Sequence, residues 1–412
     1  MYIYFQFSQN KIEDLGAQIL AEFLLKCQNI SELSIHLLSN KFGYSGISKL
    51  AKSISSMVNL KFLEFDLGQN YVKDIGLSVL SEALSIIGNN LDHLKIELKY
   101  NSICDKGALS LGKALGQCSQ ISTLLLNIEL NHIGNNGVDA IEKGLSNCKN
   151  IKSLAIYLAD NDIQETGASS IGKLLSNCTQ IISFKIDLKQ SFKIFQNENS
   201  NEIGDDGLQS ISEGLSNCIN LITLELNFEE NQICDEGAFS IGNALSIFTQ
   251  LTTFILFIDR NHIGDDGAIS IGQGLSSLKD LIKLALSFNQ NDIKNQGASS
   301  IGAGLNNFSK LQSLELFMRE NCIDNEGAKD IHFGINKCQN LTELKLSLIK
   351  NKITNEFNIS AIKDICDLKN LIILEIQLSG VVEYFTLRAL QDCNNIKIIN
   401  LDLSQNTVNL YK

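Results

Sequence analysis

The sequence has no proline and no tryptophan, and only three methionines in 412 residues. Without proline no turn can be set by a fixed φ, so reversals fall to Gly, Asn, Asp and Ser. That suits a chain built on one copied turn. Long apolar runs are also missing, since none approaches the roughly 18 residues of a membrane-spanning helix. The opening residues, MYIYFQFSQN, alternate as a strand does and lack the basic stretch and cleavage site of a secretory leader. A soluble, unsecreted, cytoplasmic protein is expected. Positive charge is scarce: 34 Lys and Arg face 46 Asp and Glu, for a formal net charge of −12 and a pI near 5.0. Nucleic-acid backbones and anionic membranes require a positive field, so neither is expected as the main partner. With 44% apolar and 19% charged residues there is ample core material and no signature of disorder. This length would ordinarily divide into two or three compact domains, unless repeats overrule that prior.

Repeats do overrule it. Asn131, Asn161, Asn231, Asn261, Asn291, Asn321 and Asn351 share one frame of 30 residues, interrupted by a step of 40 at Asn201; Asn10, Asn40, Asn70 and Asn101 precede them. Ten residues before each Asn begins L-x-x-L-x-L-x-L-x-x-N-x-I, as in Leu221, Leu224, Leu226, Phe228, Asn231, Ile233 or Leu341, Leu344, Leu346, Leu348, Asn351, Ile353. Its period of two marks a strand with one buried face. After the Asn and a polar turn comes G-A-x-x-I-G-x-x-L, as in Gly267, Ala268, Ile271, Gly272, Leu275, whose spacings of three and four mark a helix face. Acidic residues such as Asp265 and Asp266, or Asp205 and Asp206, are expected to serve their own helix starts, where unpaired N–H groups and the positive dipole end await them. A strand–loop–helix unit cannot bury both its apolar faces alone, so the units must stack.

The L-x-L-x-x-N-x-I core followed by G-A-x-x-I resembles the ribonuclease-inhibitor class of leucine-rich repeats, over roughly residues 1 to 410. The resemblance implies an α/β solenoid, a horseshoe with a parallel sheet on its concave face and helices on its convex face. About 13 to 14 repeats form one domain over 1–412. It further implies that each Asn amide bonds backbone groups of its own and neighbouring turns. Two departures stand out: an extra L-x pair in the strand, as at Ile156 and Leu158 before Asn161, and Val381 where Asn is expected. The latter, with a shortened step to Asn406, makes residues 379–412 an atypical C-terminal cap. At the other end Ile3, Phe5 and Phe7 begin in a strand without a polar cap, which points to a fragment, a missing upstream domain or an error in the coding sequence.

The eleven cysteines raise metal and disulfide chemistry, and their place in the repeat answers it. Cys27, Cys118, Cys148, Cys178, Cys218 and Cys338 occupy one site past the helix, which Met57, Phe248, Leu278 and Phe308 fill elsewhere. A site that accepts Phe, Leu and Met is a packing site. With no C-x-x-C and no leader, thiols in a reducing compartment are expected. Cys104, Cys234 and Cys322, in the turns, have no matched ligand partner. Gly167 to Gly172 and Lys173, like Gly107 to Gly112 and Lys113, imitate a phosphate-binding loop. However, Leu174 and Ala114 stand where a metal-binding Ser or Thr belongs. Gly204-Asp-Asp-Gly207 and Gly264-Asp-Asp-Gly267 lack the ligand density of a calcium loop. The five histidines form no H-E-x-x-H, and no nucleophile elbow or kinase signature occurs. No metal, cofactor or catalytic residue is expected.

The solvent-facing strand positions carry what specificity there is. In order the middle column reads His36, Asp66, Glu97, Asn127, Tyr157, Asp187, Asn227, Phe257, Ser287, Phe317, Ser347. Ile255 and Asp259 flank Phe257, Glu315 and Arg319 flank Phe317, and Glu225 and Glu229 lie one strand earlier. At about 4.8 Å per strand, Phe257 and Phe317 should stand roughly 10 Å apart over Ser287 and Ala285, an apolar slot with an acidic rim. Aromatics and Arg on such a face are an interface composition, so Tyr157, Glu225, Glu229, Ile255, Phe257, Asp259, Phe317 and Arg319 are the expected partner-binding residues. To these are added Phe192 and Phe195 of the insertion at 190–200, placed on a loop where solenoids often bind. The expectation is a monomeric, non-enzymatic scaffold that holds another protein on its concave face. Resemblance alone raises two alternatives, a GTPase-activating protein for a small GTPase and the repeat arm of a larger kinase or nucleotide-binding receptor.

Overall fold

A computed structural model describes residues 2–190, 201–377, 396–402 and 407–411. The insertion with Phe192 and Phe195, and most of the expected cap at 379–412, lie outside them. The chain divides into two units, Met1–Asn220 and Leu221–Lys412.

The first unit alternates strand and helix: β1 (Tyr2–Gln6), α1 (Glu13–Leu24), β2 (Glu32–His36), α2 (Tyr44–Ser55), β3 (Phe62–Asp66), α3 (Lys73–Ile87), β4 (His93–Glu97), α4 (Asp105–Leu115), β5 (Thr123–Asn127), α5 (Asn135–Leu145), β6 (Ser153–Tyr157), α6 (Glu165–Asn177), β7 (Ser183–Asp187) and α7 (Gly204–Leu215). The second continues with β8 (Thr223–Asn227), α8 (Asp235–Leu245), β9 (Thr253–Phe257), α9 (Asp265–Leu275), β10 (Lys283–Ser287), α10 (Asn295–Leu305), β11 (Ser313–Phe317), α11 (Asn325–Lys337), β12 (Glu343–Ser347), α12 (Asn355–Cys366), β13 (Ile373–Gln377), β14 (Ile398–Asp402) and β15 (Thr407–Tyr411). Within each unit successive strands pair in parallel, and only β15 turns back antiparallel on β14. This is a leucine-rich-repeat solenoid architecture, one strand and one helix per coil. Pairing runs on past the strand ends, as where Leu158 N and Asp160 N donate to Asp187 and Lys189.

Alternation decides the layers. In β9, Phe254 and Leu256 face the helices and are buried, while Ile255 and Phe257 stay on the open face of the sheet. The same coil closes its core with Ile263, Ala268, Ile271, Leu275 and Leu278, all at most 1% exposed.

The repeat Asn holds coils in register. Asn261 Nδ2 donates to Phe228 O, Ile258 O and Asp259 O at 3.0–3.1 Å. Its Oδ1 accepts from Asn231 N at 3.0 Å and Ile233 N at 2.9 Å, one coil back. Asn101 does the same for Leu67, Leu98, Lys99, Asn70 and Val72. The residue before the Asn adopts a left-handed backbone, at φ 53° for Arg260 and 55° for Gln290 and Glu320. In a non-glycine residue that conformation costs roughly 1–2 kcal/mol. It turns the chain so that Arg260 N reaches Asn289 O at 2.8 Å while the following Asn points inward.

The first-turn carboxylates correct the sequence expectation. Asp265 Oδ1 accepts from Lys294 N and Gly297 N, at 2.9 and 2.8 Å, so it caps the following coil's helix rather than its own. Asp105 and Asp235 do likewise, and Gly264 at the start of α9 offers its own helix no side-chain cap. The carboxylate explains the glycine, because a Cβ on Gly297 would lie 2.8 Å from Asp265 Oδ1. The second glycine lets helices touch backbone to backbone, and a Cβ on Gly272 would sit 2.5 Å from Ser300 O. His332 replaces that glycine type in α11. It is 6% exposed, its Nδ1 has no hydrogen-bond partner, and its ring lies 5.5 Å from that of Phe357.

Two outcomes follow. Asn261→Ala strands five buried backbone groups and should cost about 3–5 kcal/mol in denaturant unfolding, whereas exposed, end-of-ladder Asn10→Ala should change it by no more than ~0.5 kcal/mol. Burial holds the His332 imidazolium pKa down at about 4, below its ordinary 6.5. The unfolded chain therefore binds the proton first, and the neutral ring's contribution, complete above pH ~6.5, is lost as pH falls toward ~4, by about 3 kcal/mol. Thermal melting of His332→Leu should show a flatter acid limb than the parent over that window.

Candidate functional site

On the open face of the second unit, register brings the expected residues together. Glu225, Ile255, Ala285, Glu315 and Lys345 form one row across β8 to β12, and Asn227, Phe257, Ser287, Phe317 and Ser347 form the next. Ile255, Phe257 and Phe317 are half-buried and outward-facing, as are Glu225, Glu229, Asp259 and Arg319. Phe257 and Phe317 stand two strand spacings apart, roughly 10 Å. The space between them is not a slot. Ala285 is 1% exposed and Ser287 4%, so neither opens a floor to solvent between Ile255, Phe257 and Phe317, which stand as an apolar ridge.

The acidic rim is also altered by what its members bond. Asp259 Oδ1 accepts from Asn289 N at 2.7 Å and its Oδ2 from Asn289 Nδ2 at 3.0 Å. Burial pushes that carboxyl's pKa up, against the lowering effect of those bonds. Asn289 in turn reaches Ser287 Oγ at 2.9 Å and accepts from Arg319 N at 2.8 Å. Asp259 is thus spent on holding the turn, and Glu315 is paired with Lys345 at 2.9 Å. Arg319 bends to Glu320 through Nε and Nη2, at 3.1 and 2.8 Å.

Sequence reading missed the row made by the left-handed residues themselves. Arg260 bridges Glu230 and Gln290, Gln290 Nε2 reaches Glu320 Oε2 at 2.5 Å, and Lys350 pairs with Glu320. Lys350 first, then Gln290 and Arg319, hold the Glu320 carboxyl at about 2. The 30-residue spacing of these residues was the available signal. It marks an edge network of the turn, one residue from the Asn ladder.

In the first unit Tyr157 is half-buried on β6, with Lys185 Nζ 5.3 Å from its ring centroid. A charged cluster lies elsewhere on that face: Lys95 pairs with Glu64 at 2.8 Å and with Glu97 at 3.6 Å, and His36 Nε2 lies 3.7 Å from Glu64. Among the described residues no group of His, Cys, Asp or Glu is placed to hold a metal ion. Cys118, Cys148, Cys178, Cys218 and Cys338 are buried free thiols, and burial pushes Cys118 up to about 12 and Cys148 to about 11. Such thiols pack and do not react. Cys27, in the first coil, is only partly buried. Cys366 departs from the free-thiol expectation in being disulfide-bonded. The glycines that imitate a phosphate loop sit inside α6, where a Cβ on Gly172 would lie 2.2 Å from Ser210 O.

The sequence profile described as Leucine Rich repeat matches at residues 121–141, 199–212 and 256–272. The fold is a leucine-rich-repeat fold. Among solved structures, an internalin from Listeria monocytogenes is 20% identical with a TM-score of 0.49, over 89% of this chain and 94% of that one. The yeast Rad7 and Elc1 complex contributes a chain 16% identical with a TM-score of 0.51, over 89% of this chain and 83% of that one. At these identities the likeness concerns fold alone. No curated protein sequence matches the chain. Among the described residues no helix is long and apolar enough to cross a membrane.

Proposed function

We propose that the protein is a non-enzymatic scaffold of the ribonuclease-inhibitor type, working in the cytoplasm, that holds another protein on the open, concave face of its sheet. Leucine-rich-repeat proteins typically mediate protein–protein interaction, and the observation that carries the reading here is the ridge of Ile255, Phe257 and Phe317. Three apolar side chains face solvent on two coils separated by one other, where the alternation calls for polar ones. Aromatic anchors ringed by polar groups are where binding energy concentrates. Glu225, Glu229 and Arg319 form the polar border and Asp259 keeps the turn beneath it rigid; in the first unit Tyr157, beside Lys185, is a separate candidate contact. Phe192 and Phe195 of the insertion at 190–200, outside the described residues, are proposed as further contacts. Burial of two aromatic anchors at an interface centre is worth roughly 2–4 kcal/mol each.

The test is affinity capture from a lysate with the parent and with Phe257→Asp/Phe317→Asp. Both positions are half-exposed, so the double variant should keep its circular dichroism and lose its specific partners by about 30-fold or more in Kd. A capture profile identical to the parent's would remove the ridge from the binding surface.

A further inference from the structure

The turn that leads from strand to helix carries opposite chemistry in the two units. In the second, the eight residues from the left-handed position to the first glycine of the helix are 230–237, 260–267, 290–297 and 320–327. They hold nine acidic residues against two basic ones, and their only large apolar side chain is the repeat Ile, which is buried. In the first unit the same positions of successive coils, 39–46, 69–76, 100–107 and 130–137, hold two acidic residues and three basic ones. There Tyr44, Tyr71, Ile75, Tyr100 and Leu130 are also present, between 39% and 63% exposed.

These five side chains belong to one rim. Tyr71 N donates to Phe42 O at 2.8 Å, Lys73 N to Asn101 O at 3.1 Å and Tyr100 N to Glu129 O at 2.9 Å, so neighbouring turns lie edge to edge. Each exposed apolar residue stands within two positions of one of those bonds. The fold does not call for them. Tyr100 and Leu130 occupy the left-handed position, at φ 57° and 52°, where a bulky side chain is least favoured and the other described coils place Gln, Ser, Asp, Glu, Arg or Lys. The tyrosines alone leave on the order of 300 Å² in water. With Ile75 and Leu130 the patch is as large as the functional patches of ordinary monomers.

The charge of the rim is positive where a partner would meet it. Its two acids, Asp74 and Asp105, are half-buried and turned into the next coil. Asp74 Oδ1 accepts from Cys104 N and Gly107 N, and Asp105 Oδ1 from Gly134 N and Gly137 N, at 2.7–2.9 Å. Glu129, beside Leu130, pairs with Lys99 at 2.7 Å. Lys41, Lys73 and Lys106 are exposed, in a chain whose net charge is −12.

We propose that this rim is a second docking surface, independent of the ridge, and that it takes an acidic segment of another protein whose apolar side chains cover the tyrosines. Charge complementarity selects the acid. Carboxylates of the segment reach Lys41, Lys73 and Lys106, and the apolar groups between them lie on Tyr71 and Tyr100. Two other polyanionic occupants fit less well. A nucleic acid is held chiefly by phosphate contacts, of which three lysines offer few, and Ile75 and Leu130 give its bases nothing to stack on. The acidic turns of a second copy lack the apolar side chains that this surface requires.

A random-sequence peptide library displayed on phage, selected on the whole chain, tests this with two variants. Tyr71→Asn/Tyr100→Asn removes the aromatic centre, and Lys41→Asp/Lys73→Asp reverses the charge. Tyr100, Lys41 and Lys73 all have left-handed backbones, which Asn and Asp tolerate, so both variants should keep the parent's circular dichroism and thermal melting. Peptides enriched on the parent and lost from both variants should be rich in Asp and Glu with interspersed Phe, Tyr or Leu. One of them, labelled and titrated by fluorescence anisotropy, should bind each variant roughly tenfold or more weakly and lose affinity with added salt. Phe257→Asp/Phe317→Asp should leave that affinity unchanged, which separates the rim from the ridge. The proposal is overturned if no peptide is enriched, if the enriched peptides ignore either variant, or if the rim-dependent ones are neutral or basic. Tighter rim-dependent binding of a single-stranded oligonucleotide overturns it in favour of nucleic acid, and a parent dimer that light scattering shows dissociated by both variants overturns it in favour of a second copy.

Discussion

Everything in this structure depends on one side-chain amide per coil. Asn261 satisfies three carbonyls and two N–H groups that a turn buried between coils would otherwise leave unpaired. A buried polar group without a partner costs about 1–3 kcal/mol, so the turn exists in this form only because the amide both donates and accepts. The left-handed residue ahead of it and the absence of proline are conditions of that placement, since the N–H groups around the Asn are all used.

The carboxylate of the first helical turn complements it from the other side of each coil. Asp265 looks forward to Lys294 and Gly297, while Asn261 Oδ1 looks back to Asn231 and Ile233. Each coil is therefore held by groups it does not own. The glycines follow from this, one leaving room for a neighbour's carboxylate and the other for a neighbour's backbone.

Much of this was legible from residues alone. The Asn frame announces the period, the alternation in β9 announces which side of Phe257 faces solvent, and the shared site of Cys148 and Phe248 announces packing. What could not be read was direction and occupancy. A spacing near 30 residues leaves open whether Asp265 bonds its own helix or the next. Whether Ala285 and Ser287 form the floor of a slot depends on how much of them is left open to solvent between Ile255, Phe257 and Phe317. The use of Asp259 on Asn289 was hidden for a related reason, because a carboxylate beside an aromatic reads equally as a rim or as a strut.

The forward carboxylate and the backward amide also constrain how such a chain changes over time. A duplication or loss of one whole period restores every donor to an acceptor, since each coil offers its neighbours the same groups. A shorter insertion or deletion inside a strand or helix breaks both at once; at the one step of 40 residues, before Asn201, Gln190 Oε1 takes over the N–H of Asn201. Length is then the property of this protein most open to variation, in steps of a single coil.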